Sequence, residues 1–126
     1  MDTTNTAAVA RDFWTALDAL VSSCAIRIDR PKGSAHPGYP DFRYPIDYGY
    51  LEGTHAADGN EIDVWRGSLP SLRVTAIGCT IDRVKRDSEV KLLVGCTPEE
   101  ASTVLAVLNS GQMSAILVRR PDDPSD

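Results

Sequence analysis

Between Arg43 and Arg66 the chain reads RYPIDYGYLEGTHAADGNEIDVWR, which holds three of the four tyrosines and five acids: Asp47, Glu52, Asp58, Glu61 and Asp63. Asp58 and Asp63, with Asn60 and Glu61 between them, offer hard oxygen ligands from a turn and from the strand that leaves it. Mg2+ is commonly held by one or two carboxylates together with water and substrate phosphate oxygens, so this donor set suits it. In an extended chain Asp58 and Asn60 point the same way, and Asp63 joins them only through a bulge or a twist. The same residues also spell an ordinary Asp-Gly hairpin turn with solvated acids, and spacing alone favours that plainer reading.

The positive partners lie elsewhere in sequence, at Lys32, Arg43, Lys85 and Lys91. Lys91 stands in an apolar strand, where an ammonium is costly unless its head reaches water or an anion. Tyr44 and Tyr48 flank Pro45 and carry phenol donors suited to phosphate, although most such tyrosines pack on a strand with the hydroxyl at the rim. Clustered acids combined with Lys, Arg and Tyr are what a metal-bound polyanion needs. Other chemistries lack their motifs. Lys32-Gly33-Ser34 has no glycine at the spacing a phosphate-binding P-loop requires. There is no GxSxG, and His36 and His55 sit in loops with no HxH or HExxH, so a zinc site is not expected.

These residues need elements to hold them. Val9, Phe13, Trp14, Leu17, Leu20 and Val21 recur at three- and four-residue steps and predict a helix over 4–22, capped by Thr4 or Asn5. Cys24 to Asp29 alternates as a half-buried strand. Residues 32–42 are dense in Pro and Gly and read as a loop. Extended chain follows at 44–51, 62–65, 73–82 and 90–96, with charged residues 83–89 as a connection. Thr97-Pro98-Glu99-Glu100 sets a cap, a first-turn proline and a glutamate three residues after the cap, which opens a second helix. Asn109-Ser110-Gly111 ends it, and 113–118 forms a last strand. The order predicts an α+β fold: a small, mainly antiparallel OB-like β-barrel flanked by an N-terminal and a C-terminal helix.

The chain of 126 residues is expected to form one domain over 1–120, with the tail PDDPSD at 121–126 disordered. A net charge of −5 argues against nucleic acid as a partner. No apolar run reaches membrane-spanning length, and the first residues do not read as a secretory signal. Cys24, Cys79 and Cys96 fit no metal or redox pattern and read as buried thiols of a cytoplasmic protein.

Several segments resemble the soluble, Mg2+-dependent inorganic pyrophosphatases with a single β-barrel domain. Asp29-Arg30-Pro31-Lys32-Gly33-Ser34 is similar to that family's E-I-P-K-G-S. Tyr44 to Tyr50 is similar to its Y-P-x-D/N-Y-G-F/Y, and Asp58 to Val64 to its D-G-D-P-L-D-V. Ile77-Gly78 and Glu89-Val90-Lys91-Leu92 resemble its V/I-G strand and its D-x-K-L/I. The resemblance runs in order over about residues 25–95. It implies metal ligation by Asp58, Asp63 and Glu89, with Tyr48 beside the metal and Mg2+ as cofactor. It implies phosphate contacts from Lys91, Tyr44, Arg43 and Lys32, and pyrophosphate or another phosphoanhydride as substrate, with self-association left open. Asp58, Asp63, Asn60 and Tyr48 are then the catalytic candidates.

The departures are specific. Asn60 replaces the aspartate associated with activating water, Glu89 replaces an aspartate, and Asp29 replaces a glutamate. Val84 falls where the family has another aspartate, with Asp82 and Asp87 nearby. The segment between Ser34 and Tyr44 is short for the family's basic hairpin, and the C-terminal helix lacks a Tyr-Lys phosphate pair. These losses keep a second expectation alongside hydrolysis: a non-catalytic module that binds a phosphorylated metabolite or a metal. A third is hydrolysis of a larger anhydride in an opened pocket.

Overall fold

The computed structural model describes residues 4–121, and side chains from residue 9 onward. Helix α1 (Thr4–Ser22) leads into β1 (Ile26–Arg30), β2 (Ala35–His36), β3 (Tyr39–Arg43), β4 (Asp47–Leu51) and β5 (Asp63–Arg66). Strands β6 (Val74–Asp82) and β7 (Asp87–Val94), helix α2 (Pro98–Leu108) and strand β8 (Met113–Arg119) complete the chain. The expected α1 cap at Thr4 or Asn5 and the tail beyond residue 121 lie outside the described side chains and residues.

The main sheet has six strands in the order β1-β4-β5-β7-β6-β8. Its pairs are antiparallel except β5 with β7, which run parallel. Strand β7 thus inserts between β5 and β6, and α2 carries the chain from β7 over to β8 on the far side of β6. The expected closed OB-like barrel is not formed. Among the described residues β1 pairs only with β4 and β8 only with β6, so the sheet ends in two open edges. The expected loop over 32–42 is also corrected, because β2 and β3 pair there as a small hairpin. Backbone bonds from Gly33 N–H to the Tyr44 carbonyl and from Tyr44 N–H to the Ser34 carbonyl close its base.

Strand alternation sorts the core onto the two faces of the sheet. Val64, Leu92 and Val94 join Leu51, Val74 and Ile77 beneath Trp14 and Val21 of α1. Trp65 and Leu93 face the other way, with Tyr44, Ile46 and Ala76, beneath Ala101, Val104 and Leu108 of α2. A capping box sets the α2 start: Glu100 N–H donates to Thr97 Oγ1 and Thr97 N–H donates to Glu100 Oε1. Helix α1 is fastened by a charge clamp. Arg120 Nη1 donates to both carboxylate oxygens of Asp18, at 2.9 and 2.8 Å, and the Val74 N–H donates to the same carboxylate. The Arg120 guanidinium also lies 5.8 Å from the centre of the Trp14 ring, within cation–π range.

The three cysteines are free, and only Cys96 is fully buried. Burial, and after it the charge of Glu100, pushes its thiol up to about 12, which suits a packing residue and not a nucleophile. No helix among the described residues is long and apolar enough to cross a membrane.

Candidate functional site

Lys91 is the centre of the site. It lies on β7 with the same parity as Leu93, so its side chain emerges on the α2 face of the sheet. Its side chain is only 8% exposed, yet its ammonium is surrounded by oxygen. Nζ lies 2.8 Å from Asp63 Oδ2, 2.9 Å from Tyr48 Oη and 3.2 Å from Glu89 Oε2. Three adjacent strands supply these groups. Tyr48 on β4 stands opposite Trp65 of β5, and Asp63 lies two residues before Trp65 on the same face. Glu89 precedes Lys91 by two residues, so strand period alone puts both heads on one side.

Gly49 makes this arrangement compatible with the neighbouring strand. A Cβ at that position would collide with the Arg27 carbonyl of β1, so only glycine lets β1 lie flat against β4 beside Tyr48.

The electrostatics follow from burial beside charge. Burial lifts the Tyr48 phenol well above its ordinary value, against the lowering pull of Lys91, so it remains a neutral hydroxyl. For Lys91 burial works against the charge. The attraction of the Tyr48 oxygen and the Asp63 carboxylate outweighs it and holds the ammonium's proton above the ordinary lysine range. Both groups therefore keep their protons at neutral pH.

Asp58 and Asn60 stand at the exposed tip of the β4–β5 connection. Gly59 takes the left-handed conformation, φ 86°, that the tight turn requires. Asp58 Oδ1 accepts the Asn60 N–H at 3.0 Å, and Oδ2 accepts from Asn60 Nδ2 at 3.4 Å. The Asn60 N–H chiefly holds the Asp58 carboxyl below its ordinary value, with a smaller lowering contribution from Glu89. Asp63, Lys91 and Glu89 thus form a row of alternating charge.

The other expected phosphate contacts sit apart from that row. Tyr44 is 7% exposed and packs its ring 5.5 Å from Tyr48, 5.9 Å from Trp65 and 5.1 Å from Phe42. Arg43 is exposed and donates from Nη1 to the Gly33 carbonyl. Lys32 is exposed, and its backbone N–H donates to Asp47 Oδ1 at 2.8 Å. Asp47 therefore ties the Pro31–Ser34 turn to the residue next to Tyr48, a role that sequence reading did not give it. Trp65 was also missed. Its ring centre is 4.6 Å from that of Tyr48, and its buried Nε1 has no hydrogen-bond partner among the described residues. Two-residue spacing from Asp63 was the available signal for placing that ring beside the site.

The carboxylates suit Mg2+ in kind, being hard oxygen donors, and Mg2+ asks for only one or two of them plus phosphate oxygens. Among the described residues no group of three or more His, Cys, Asp or Glu forms a ready cage. Two of the three candidate ligands, Asp63 and Glu89, already face an ammonium.

Solved structures provide the comparison at the level of the fold. An inorganic pyrophosphatase from Helicobacter pylori superposes with a TM-score of 0.55 at 13% identity, covering 75% of this chain and 81% of that one. An inorganic phosphatase from Anaplasma phagocytophilum gives 0.52 at 13% identity, covering 75% and 81%. An inorganic pyrophosphatase from Neisseria gonorrhoeae gives 0.50 at 14% identity, covering 71% and 76%. In fold, the chain is similar to inorganic pyrophosphatases. No family model and no curated protein matches the sequence. Identity this low speaks to the backbone alone.

Proposed function

We propose that this chain hydrolyses a phosphoanhydride with a divalent cation, Mg2+, and that inorganic pyrophosphate is its substrate. The observation that carries this reading is the buried Lys91 ammonium held at hydrogen-bond distance by Tyr48, Asp63 and Glu89 on a pyrophosphatase-like sheet. Asp58, Asp63 and Glu89 are the residues that would hold the cation. A divalent cation in such a site supplies Lewis-acid polarisation of a phosphoryl oxygen and a more acidic water.

The chain's own groups account for the rest. Lys91 and the Tyr48 hydroxyl are preorganised donors for the charge that builds on the phosphoryl oxygens and on the departing phosphate. Water oxygen bonds to one phosphorus, the bridging P–O bond breaks, and two phosphates result. Asn60 orients the attacking water but accepts no proton, so that proton passes to Glu61, the next residue, or to solvent. Arg43 and Lys32, on the exposed turn and hairpin, add positive charge at the rim. Activity in the cytoplasm is consistent with the free cysteines.

A second reading has its own support. Asn60 in place of an acid, together with carboxylates already engaged by Lys91, favours a module that binds a phosphorylated metabolite without turning it over. Calorimetric titration with pyrophosphate and Mg2+, run beside a phosphate-release assay, separates the two. Binding with Mg2+-dependent release supports hydrolysis. Binding without release at high protein concentration rejects hydrolysis and selects the module.

A further inference from the structure

We propose that Lys91 is the built-in counter-cation of this site, so that a divalent cation is taken up together with a phosphate-type anion and only weakly by itself. This rests on the reading that the site binds both.

One ammonium bridges two carboxylates from adjacent strands, Asp63 of β5 at 2.8 Å and Glu89 of β7 at 3.2 Å. A divalent ion that ligates those oxygens must sit within a few ångströms of the same nitrogen. In a partly desolvated setting two like charges at that distance repel strongly. Lys91 is the most enclosed member of the row, with 8% of its side chain exposed against 32% for Asp63 and 31% for Glu89. Its head therefore has little access to bulk water and needs another anion before it releases the carboxylates.

A phosphate oxygen is such an anion. It accepts from Lys91 and from the Tyr48 hydroxyl on one side and contributes ligands to the metal on the other. Asp63 and Glu89 are then free to complete the coordination that Mg2+ shares with phosphate. Linkage makes the effect mutual: the anion raises affinity for the metal by the same factor that the metal raises affinity for the anion.

The test is Mg2+ binding to the full chain by calorimetry, without and with saturating inorganic phosphate, corrected for their association in solution. The expected result is an affinity for Mg2+ raised about tenfold or more by phosphate. The variant Lys91→Met should bind Mg2+ without phosphate more tightly than the parent and should lose the coupling. Its melting temperature should rise on adding Mg2+ alone, because the metal then neutralises Asp63 and Glu89. Should Lys91→Met not fold, the coupling in the unmodified chain still decides. Equal Mg2+ affinity with and without phosphate, or no binding in either condition, overturns the proposal. So does a folded Lys91→Met that keeps the parent's affinity and coupling. Coupling without pyrophosphate turnover would reject hydrolysis and leave this inference standing. Turnover without coupling would do the reverse.

Discussion

In the proposed hydrolysis, Asn60 is the residue on which proton removal from the attacking water turns. Its amide lies in a turn built by Asp58 and Gly59, and an aspartate there keeps the backbone N–H that Asp58 accepts. Replacing Asn60 by Asp adds a proton acceptor without rebuilding the loop. We expect Asn60→Asp to raise Mg2+-dependent phosphate release about a hundredfold or more, within the usual range for a positioned base. An unchanged or lower rate in a steady-state assay would mean that Asn60 serves a different substrate. The surroundings of Lys91 in the candidate site were legible residue by residue. A lysine in an apolar strand demands a partner, and Lys91 has three at hydrogen-bond or ion-pair distance. Tyr44 was harder, because sequence does not say whether a tyrosine beside Pro45 turns its ring into the core or toward a ligand. It packs into the aromatic cluster. The role of Asp47 was not legible, since its partner is a backbone N–H fifteen residues away.

At the scale of elements, local signals were read well, including the hairpin that joins β6 to β7, and the closure of the sheet was not. The Thr97 to Glu100 box is a short-range device and is formed as expected. Glu100 also accepts from the Ser68 N–H, so the cap ties α2 to the β5–β6 connection. Burial works against the Glu100 charge, but the hydrogen bonds from Thr97 and Ser68 outweigh it and hold its carboxyl below the ordinary value. A depressed carboxyl stabilises the fold above its ordinary value of 4.5 and loses that contribution as pH falls below it. Glu100→Gln should therefore destabilise the chain by about 1 kcal/mol at neutral pH. In urea unfolding the gap to the parent should close as the pH is lowered below 4.5. A gap that persists in acid would deny the charge its role. The β2–β3 hairpin was read as loop because Pro37, Gly38 and Pro40 mask its period. The open sheet was read as a barrel because closure depends on which edge strands meet, a long-range choice that no local pattern records.

At the scale of the whole molecule, both helices pack on one sheet. Strands β5, β6 and β7 contribute to the core beneath α1 and to the core beneath α2. Loosening either layer therefore loosens the other, and thermal unfolding should be a single transition. Asp18→Ala removes the carboxylate partner of the half-buried Arg120, leaving it only the Val74 carbonyl, and leaves the Val74 N–H unmatched. It should lower stability by about 2 kcal/mol while circular dichroism still shows one transition. Two separated transitions would mean that the layers fold independently. The sheet also places Tyr48, Asp63, Glu89 and Lys91 on one face from three strands, so the site is a property of the assembled fold. The most direct measurement is phosphate release from pyrophosphate by the full chain, with and without Mg2+, beside Asp63→Ala. We expect release that requires Mg2+ and falls at least about a hundredfold in Asp63→Ala, the scale of a lost charge-positioning group. No Mg2+-dependent release at high protein concentration, or equal release from Asp63→Ala, would contradict the account.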